Sequence, residues 1–205
     1  MAAGVRKNRV GTNLVPVKWG QIAAATKTVM GWPVWPDPPP SLRTKKAASV
    51  RGELNTNAAE LLQVVVLLGD EHGIGLEGVR LRMTAWAFRQ LNEVTATLEV
   101  EGGRSLVAIA RVDCWPADPH LNLRARKVAA LRLPREINGH HVHRYEDNAR
   151  IGLSAFGPGP DGNLPAAAPL LERLTSFRDF LRTVASEFRI EGLDKIDPPN
   201  WQVMV

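Results

Sequence analysis

The sequence predicts an α+β domain: an antiparallel sheet packed by a C-terminal amphipathic helix, with an irregular basic N-terminal arm in front. Three observations lead there. Alternating apolar and polar runs flank Gly102-Gly103 in "EVTATLEVEGGRSLVAIARVD", the pattern of a β-hairpin around a two-residue turn. Leu170, Leu174, Phe177, Leu181, Val184 and Phe188 recur at alternating spacings of four and three, which is one stripe of a helix. Proline, glycine and basic residues interrupt the first 56 residues. The expected division is an arm over 1–56 and a folded domain over 57–205.

The arm holds "GWPVWPDPPPS", where proline removes backbone donors and biases each preceding residue toward extended backbone. Trp32 and Trp35 are expected to pin the arm to the body. "GQIAAATKTVMG" just before it suits a short helix. From Asn57 the pattern turns to strands. "LLQVVVLLG" is a strand-length apolar run, and "GDEHGIG" after it reads as a turn. In "GVRLRMTAW" Val79, Leu81 and Met83 share one face and Arg80 and Arg82 the other. The hairpin follows, then the loop "CWPADPH". "HHVHRYED" and "ARIGLSAF" read as two further strands joined near Asp147 and Asn148. Pro169 is placed in the first turn of the final helix.

Charge is distributed unevenly. Residues 1–51 carry nine basic side chains and a single acid, Asp37, so the net charge of +5 comes from the arm. Such a segment is attracted to polyanions, because lysine and arginine release counterions condensed on phosphates. No apolar run approaches the roughly 18–20 residues that span a bilayer. The N-terminus lacks the apolar core of a signal peptide. A single cysteine, Cys114, makes no internal disulfide, so a reducing cytoplasm is the expected compartment. Phosphate-binding loops, dinucleotide fingerprints, H-E-x-x-H and G-x-S-x-G are all absent from the sequence.

The chemistry concentrates in "RVDCWPADPHLN" and "NGHHVHRY". On a strand, residues two apart share a face, which sets His141, His143 and Tyr145 against His140, Val142 and Arg144. With Val142 facing the core, the histidine face is expected to be exposed or to line a cleft. Two uses are open. With His120 or Asp113 as a third ligand, His141 and His143 could hold a divalent metal. Without metal, His120, His141 and His143 could share acid and base roles, Asp113 orienting an imidazole and Tyr145 stacking a base or orienting phosphate. Arg111, Arg124, Arg126 and Lys127 would then supply cations for a nucleic-acid backbone.

The order R-x-D (Arg111, Asp113), H-x-N (His120, Asn122) and G-x-H-x-H-x-Y (Gly139, His141, His143, Tyr145) resembles a family of small prokaryotic toxin-like proteins of the toxin–antitoxin type. A related toxin group has a similar strand aspartate followed by H-x-H. The resemblance covers roughly residues 93–190 and leaves the arm outside. It implies a cytoplasmic prokaryotic protein acting on RNA, a possible ribonuclease, with a cognate antitoxin as partner and these polar side chains in one cleft. The leading expectation is a metal-independent histidine site without cofactor. The alternatives are a metal-dependent enzyme on His120, His141 and His143, and a non-catalytic module that binds nucleic acid or protein.

Overall fold

The computed structural model describes residues 14–37, 61–103, 105–128, 130–157 and 163–201. A helix α1 (Leu14–Ala24) leads into β1 (Lys27–Met30). Then come β2 (Leu61–Gly69), β3 (Gly75–Trp86), β4 (Val94–Glu101), β5 (Leu106–Cys114), the short β6 (His120–Leu121) and β7 (Glu136–Ile137), and β8 (His141–His143). Helix α2 (Tyr145–Ile151), β9 (Ala168–Pro169), helix α3 (Phe177–Phe188) and β10 (Ile190–Glu191) complete the chain. Eight strands form one sheet in the order β10-β1-β2-β3-β4-β5-β8-β9, and β6 pairs with β7 apart from it. Neighbours are antiparallel except β1 and β10, which run parallel. The α+β class is as predicted.

The β4–β5 hairpin forms where the alternation places it, but its turn is longer. Glu101 pairs with Leu106, which leaves residues 102–105 as a four-residue connection. The Gly102 N–H donates to the Ser105 carbonyl at 2.8 Å, and Gly103 takes a φ of +89°, where a side chain would be strained. A bulge at Leu98/Glu99 shifts the register along β5.

Alternation gives the sheet two faces. One is apolar: Leu62, Val64 and Val66 of β2 lie beside Ala85, Met83 and Leu81 of β3, then Ala96 and Leu98 of β4, Val112 of β5 and Val142 of β8. All are buried in a core shared with Phe177, Phe180, Leu181, Val184 and Phe188 of α3. The other face is polar. Arg80 and Arg82 each donate through Nε to Glu99 at 2.7 Å, and further along lie Thr95, Thr97, Arg111, Asp113, His141 and His143.

The final helix begins later than its apolar stripe. Pro169 is in β9, opposite His141, and α3 starts only at Phe177. A capping box fixes that start: Ser176 Oγ accepts from the Asp179 N–H at 3.1 Å, and the Ser176 N–H donates to Asp179 Oδ2 at 3.0 Å. Leu174 is buried ahead of the helix and Leu170 packs at the margin of the core.

The pair of strands expected after residue 139 is one strand and a helix. β8 ends at His143, and α2 opens with Glu146 and Asp147 in its first turn, where carboxylates favour a helix start. "LSAF" forms a turn of 3-10 helix. Asn148 is fully buried in α2, and its side chain bonds the Arg144 carbonyl and both backbone groups of Ala166.

Part of the expected arm is built into the domain. β1 pairs with both β2 and β10. Lys27 is wholly buried, and its Nζ donates to the Ile22 carbonyl at 2.8 Å, closing the C-terminal end of α1. Burial, together with the neighbouring charge of Arg189, lowers the Lys27 amine to about 8. Trp35 is buried edge-on against Phe177 and does pin the segment, whereas Trp32 is exposed. Most of the other basic residues of the arm, Arg6, Lys7, Arg9, Arg43, Lys45, Lys46 and Arg51, lie outside the described residues. Among the described residues, no helix is long and apolar enough to cross a membrane.

Candidate functional site

Two cross-strand rows on the polar face of the sheet build the site. Thr95, Asp113 and His141 lie abreast on β4, β5 and β8, and Thr97, Arg111 and His143 form the next row. The short β6 brings His120 over them. The three imidazole centroids are 4.8 to 5.1 Å apart. One ring nitrogen of each lies within 4.8 Å of the others.

The orientation of each ring follows from its other nitrogen. His141 Nδ1 bonds the Gly139 carbonyl at 2.8 Å, and His143 Nδ1 bonds the Leu164 carbonyl. A carbonyl only accepts, so each Nδ1 carries a proton and each Nε2 is turned inward. They meet at Asp113: its Oδ2 is 3.3 Å from His141 Nε2 and 3.1 Å from His143 Nε2. His120 Nε2 is buried without a hydrogen-bond partner. Thr95 Oγ1 donates to Asp113 Oδ1 at 2.8 Å and fixes the carboxylate.

Arg111 binds the same atoms from the outer side. Its Nε donates to Asp113 Oδ2 at 2.7 Å, its Nη2 to His143 Nε2 at 2.9 Å, and its Nη1 to Asn163 Oδ1 at 3.0 Å.

Burial sets the electrostatics. It pushes His143 down to about 3, with the Arg111 charge adding to it against the pull of Asp113. It lowers His120 too, helped by the neighbouring His141. Burial would raise the Asp113 carboxyl, but contacts with His141 and His143 and the Arg111 charge outweigh it and hold the group well below the usual carboxylate range. The result is three imidazoles whose Nε2 atoms converge beside an ionised carboxylate, with burial holding His120 and His143 toward the neutral form. That donor set suits a divalent transition metal. Tetrahedral bonds of 2.0–2.1 Å would bring the nitrogens to about 3.4 Å from one another, a closure of up to about 1.4 Å from the separations of at most 4.8 Å.

A cleft of about 220 Å³ is lined by Glu93, Thr95, Asp113, Pro119, His120 and His141. Glu93 Oε2 accepts from Trp86 Nε1 at 2.9 Å, which fixes it at the rim.

The structure thus brings together Arg111, Asp113, His120, His141 and His143. It corrects one expectation and narrows two. Of the two settings expected for the histidine face, exposed or a cleft wall, the structure gives the second: His141 lines a cleft with His120 and Asp113, while His141 and His143 are buried at 4% and 0% beneath the segment around Leu164 and the β6–β7 excursion. Tyr145 does not join the wall. The strand ends before it, and its ring stacks on Phe156 and lies against Gly20. Arg111, expected among the cations for a nucleic-acid backbone, is paired with Asp113 inside the cluster. Arg126 is exposed and Arg124 half-buried around a 3-10 turn at Ala125–Lys127, and the Lys127 side chain lies outside the described residues. His140 stands apart from the cluster, its Nδ1 accepting from the Trp115 N–H at 2.9 Å and its ring edge-on to that indole. Burial raises the Cys114 thiol, which rules it out as a ready thiolate.

Sequence reasoning missed Thr95, Asn163, Leu164 and Glu93. Thr95 could have been found from the hairpin register, since it is the residue opposite Asp113. The others belong to connections with no periodic signal. Asn122, by contrast, is not at the centre. It is buried, and its amide bonds Pro134 and both backbone groups of Ala167, which clamps the cover over the site.

No family model, no curated protein and no solved structure matches this chain.

Proposed function

We propose that His120, His141 and His143 hold a divalent transition metal, with zinc the best fit to a nitrogen-rich set, and that the protein is a metal-dependent enzyme. The observation that carries this reading is the pinning of His141 and His143 through Nδ1 to backbone carbonyls, which aims both Nε2 atoms at one point beside the unpartnered Nε2 of His120. Hydrogen bonding of the second ring nitrogen is what orients metal-bound histidines in general. Three protein ligands next to a cleft leave a coordination position for water or substrate, the arrangement that suits metal-assisted hydrolysis.

Acid–base catalysis without metal has less support. It needs an imidazole that exchanges protons near neutral pH and meets its substrate. His143 is fully buried and pushed down to about 3. RNA as substrate and an antitoxin as partner rest on the family resemblance and the basic segment. The carboxylates of Glu93 and Asp118 beside the cleft favour a less anionic substrate. A cytoplasmic location is in keeping with the single buried thiol.

The test is metal analysis of untagged protein, with zinc titration of chelator-treated samples. One ion per chain, lost in His120→Ala and His141→Ala, is the expected result. No binding of zinc, iron, manganese or nickel at micromolar concentrations would overturn the proposal.

A further inference from the structure

Arg111 donates to two atoms that a metal on this cluster would compete for. Its Nη2 takes the His143 Nε2 lone pair at 2.9 Å, and its Nε takes Asp113 Oδ2 at 2.7 Å. An imidazole nitrogen has one lone pair, so it cannot serve a guanidinium and a metal together. A fixed positive charge beside a dication is also repulsive, and strongly so where burial limits screening. The side chain has somewhere to go. Its third donor, Nη1, already reaches Asn163 Oδ1 at 3.0 Å, on the exposed loop before Leu164.

We infer that Arg111 is an internal counter-cation that gates the metal centre: it holds the ligands when no metal is bound and must swing toward Asn163 when one binds. The inference rests on the metal reading above. Metal binding becomes an exchange of cations at Asp113 and His143. The guanidinium keeps the buried carboxylate paired, prevents collapse of the converging lone pairs, and lowers the affinity of the site. An ion must then displace two charge-assisted hydrogen bonds to enter, which selects against cations that bind nitrogen weakly. Asp113, released from Arg111, becomes available as a further ligand or as an acceptor for metal-held water.

The experiment compares full-length wild type with Arg111→Met and Arg111→Lys. Zinc affinity is measured by competition with a chromophoric chelator, and thermal unfolding with and without zinc. The inference predicts that Arg111→Met binds zinc at least tenfold more tightly than wild type. Without zinc it melts at a lower temperature than wild type, and zinc raises its melting point by more. Arg111→Lys keeps the charge but loses the forked donors. It serves if the methionine variant does not fold, and it should bind more tightly by a smaller factor. A purely structural arginine would lower the melting point without tightening zinc. Wild type that binds zinc, with variants of equal or weaker affinity, overturns the inference and leaves the metal proposal standing. No binding in wild type or either variant removes both. Zinc binding by the variants alone overturns both, since the native chain would then hold Arg111 in place of a metal and no exchange would occur.

Discussion

The Nδ1 proton of His143 is held by the Leu164 carbonyl, and that bond turns Nε2 toward the Arg111 Nη2 donor, 2.9 Å away. One backbone group on the cover therefore sets the direction of a lone pair at the centre. Replacing His143 by asparagine separates these roles. An asparagine amide can still donate to Leu164, so the fold should survive with a loss of about 1 kcal/mol. Zinc affinity should fall by more than the roughly 10–100-fold that outer-shell changes cause. His143→Ala removes the donor as well, leaves a buried carbonyl and a cavity, and should cost about 2–4 kcal/mol. Urea unfolding and zinc titration of the two variants distinguish the cases. Equal destabilisation by both would show that the Leu164 bond contributes little.

The same burial makes stability depend on pH. His143 has its folded value at about 3 against 6.5 for an ordinary histidine. Between these values the unfolded chain binds a proton and the folded one does not, so stability rises with pH and falls as acid is added. Asp113 acts in the same direction at lower pH: its contribution is present above the unfolded value near 4 and is lost on further acidification. Urea midpoints from pH 7.5 down to 4 should decline, at up to about 1.4 kcal/mol per pH unit from His143 alone. His143→Asn should flatten the slope between pH 6.5 and 4. An unchanged slope would assign the acid sensitivity elsewhere.

Asn148 and Asn122 hold the cover in place. Each is fully buried, and each uses both ends of its amide on the backbone of neighbouring residues Ala166 and Ala167. Asn148→Ala would strand the N–H and carbonyl of Ala166, while the Arg144 carbonyl keeps its bond from the residue 148 N–H, at a cost of about 2–4 kcal/mol. Hydrogen exchange should then rise across residues 163–168, and zinc affinity should weaken because Leu164 no longer holds His143 steady. Exchange confined to α2 would show that the cover is anchored by Asn122 alone.

The sheet was legible because its signal is local. Val79, Leu81 and Met83 alternate with Arg80 and Arg82, and burial follows that alternation. The division of His141 and His143 from His140 was legible for the same reason. Their burial was not, because the residues that cover them come from β6 and from the stretch around Leu164, which carry no periodicity. Tyr145 was misplaced because strand alternation was carried two residues beyond His143, where β8 ends and Arg144 caps a helix. The α3 boundary was missed because a stripe reports which residues meet the core, and Leu174 meets it from outside the helix. The capping box Ser176-x-x-Asp179 was the local signal for the true start.

Beyond the site, the polar face depends on one buried carboxylate. Glu99 accepts Arg80 Nε and Arg82 Nε, both at 2.7 Å, while the arginines remain about a third exposed. Glu99→Ala would leave two cations facing each other across a half-covered surface. Breaking a buried pair costs about 3–5 kcal/mol, and access of these arginines to water should reduce that to about 1–3 kcal/mol. The loss should shrink in high salt, which screens the remaining repulsion. Removing all three charges is a different change. The triple variant Arg80→Met, Arg82→Met, Glu99→Leu replaces the network by apolar contacts, and such exchanges are often neutral. It should therefore be more stable than Glu99→Ala alone, by urea midpoint at low salt. A triple variant less stable than the single one would mean that the network contributes net stability and does more than neutralise charges the sequence has placed there.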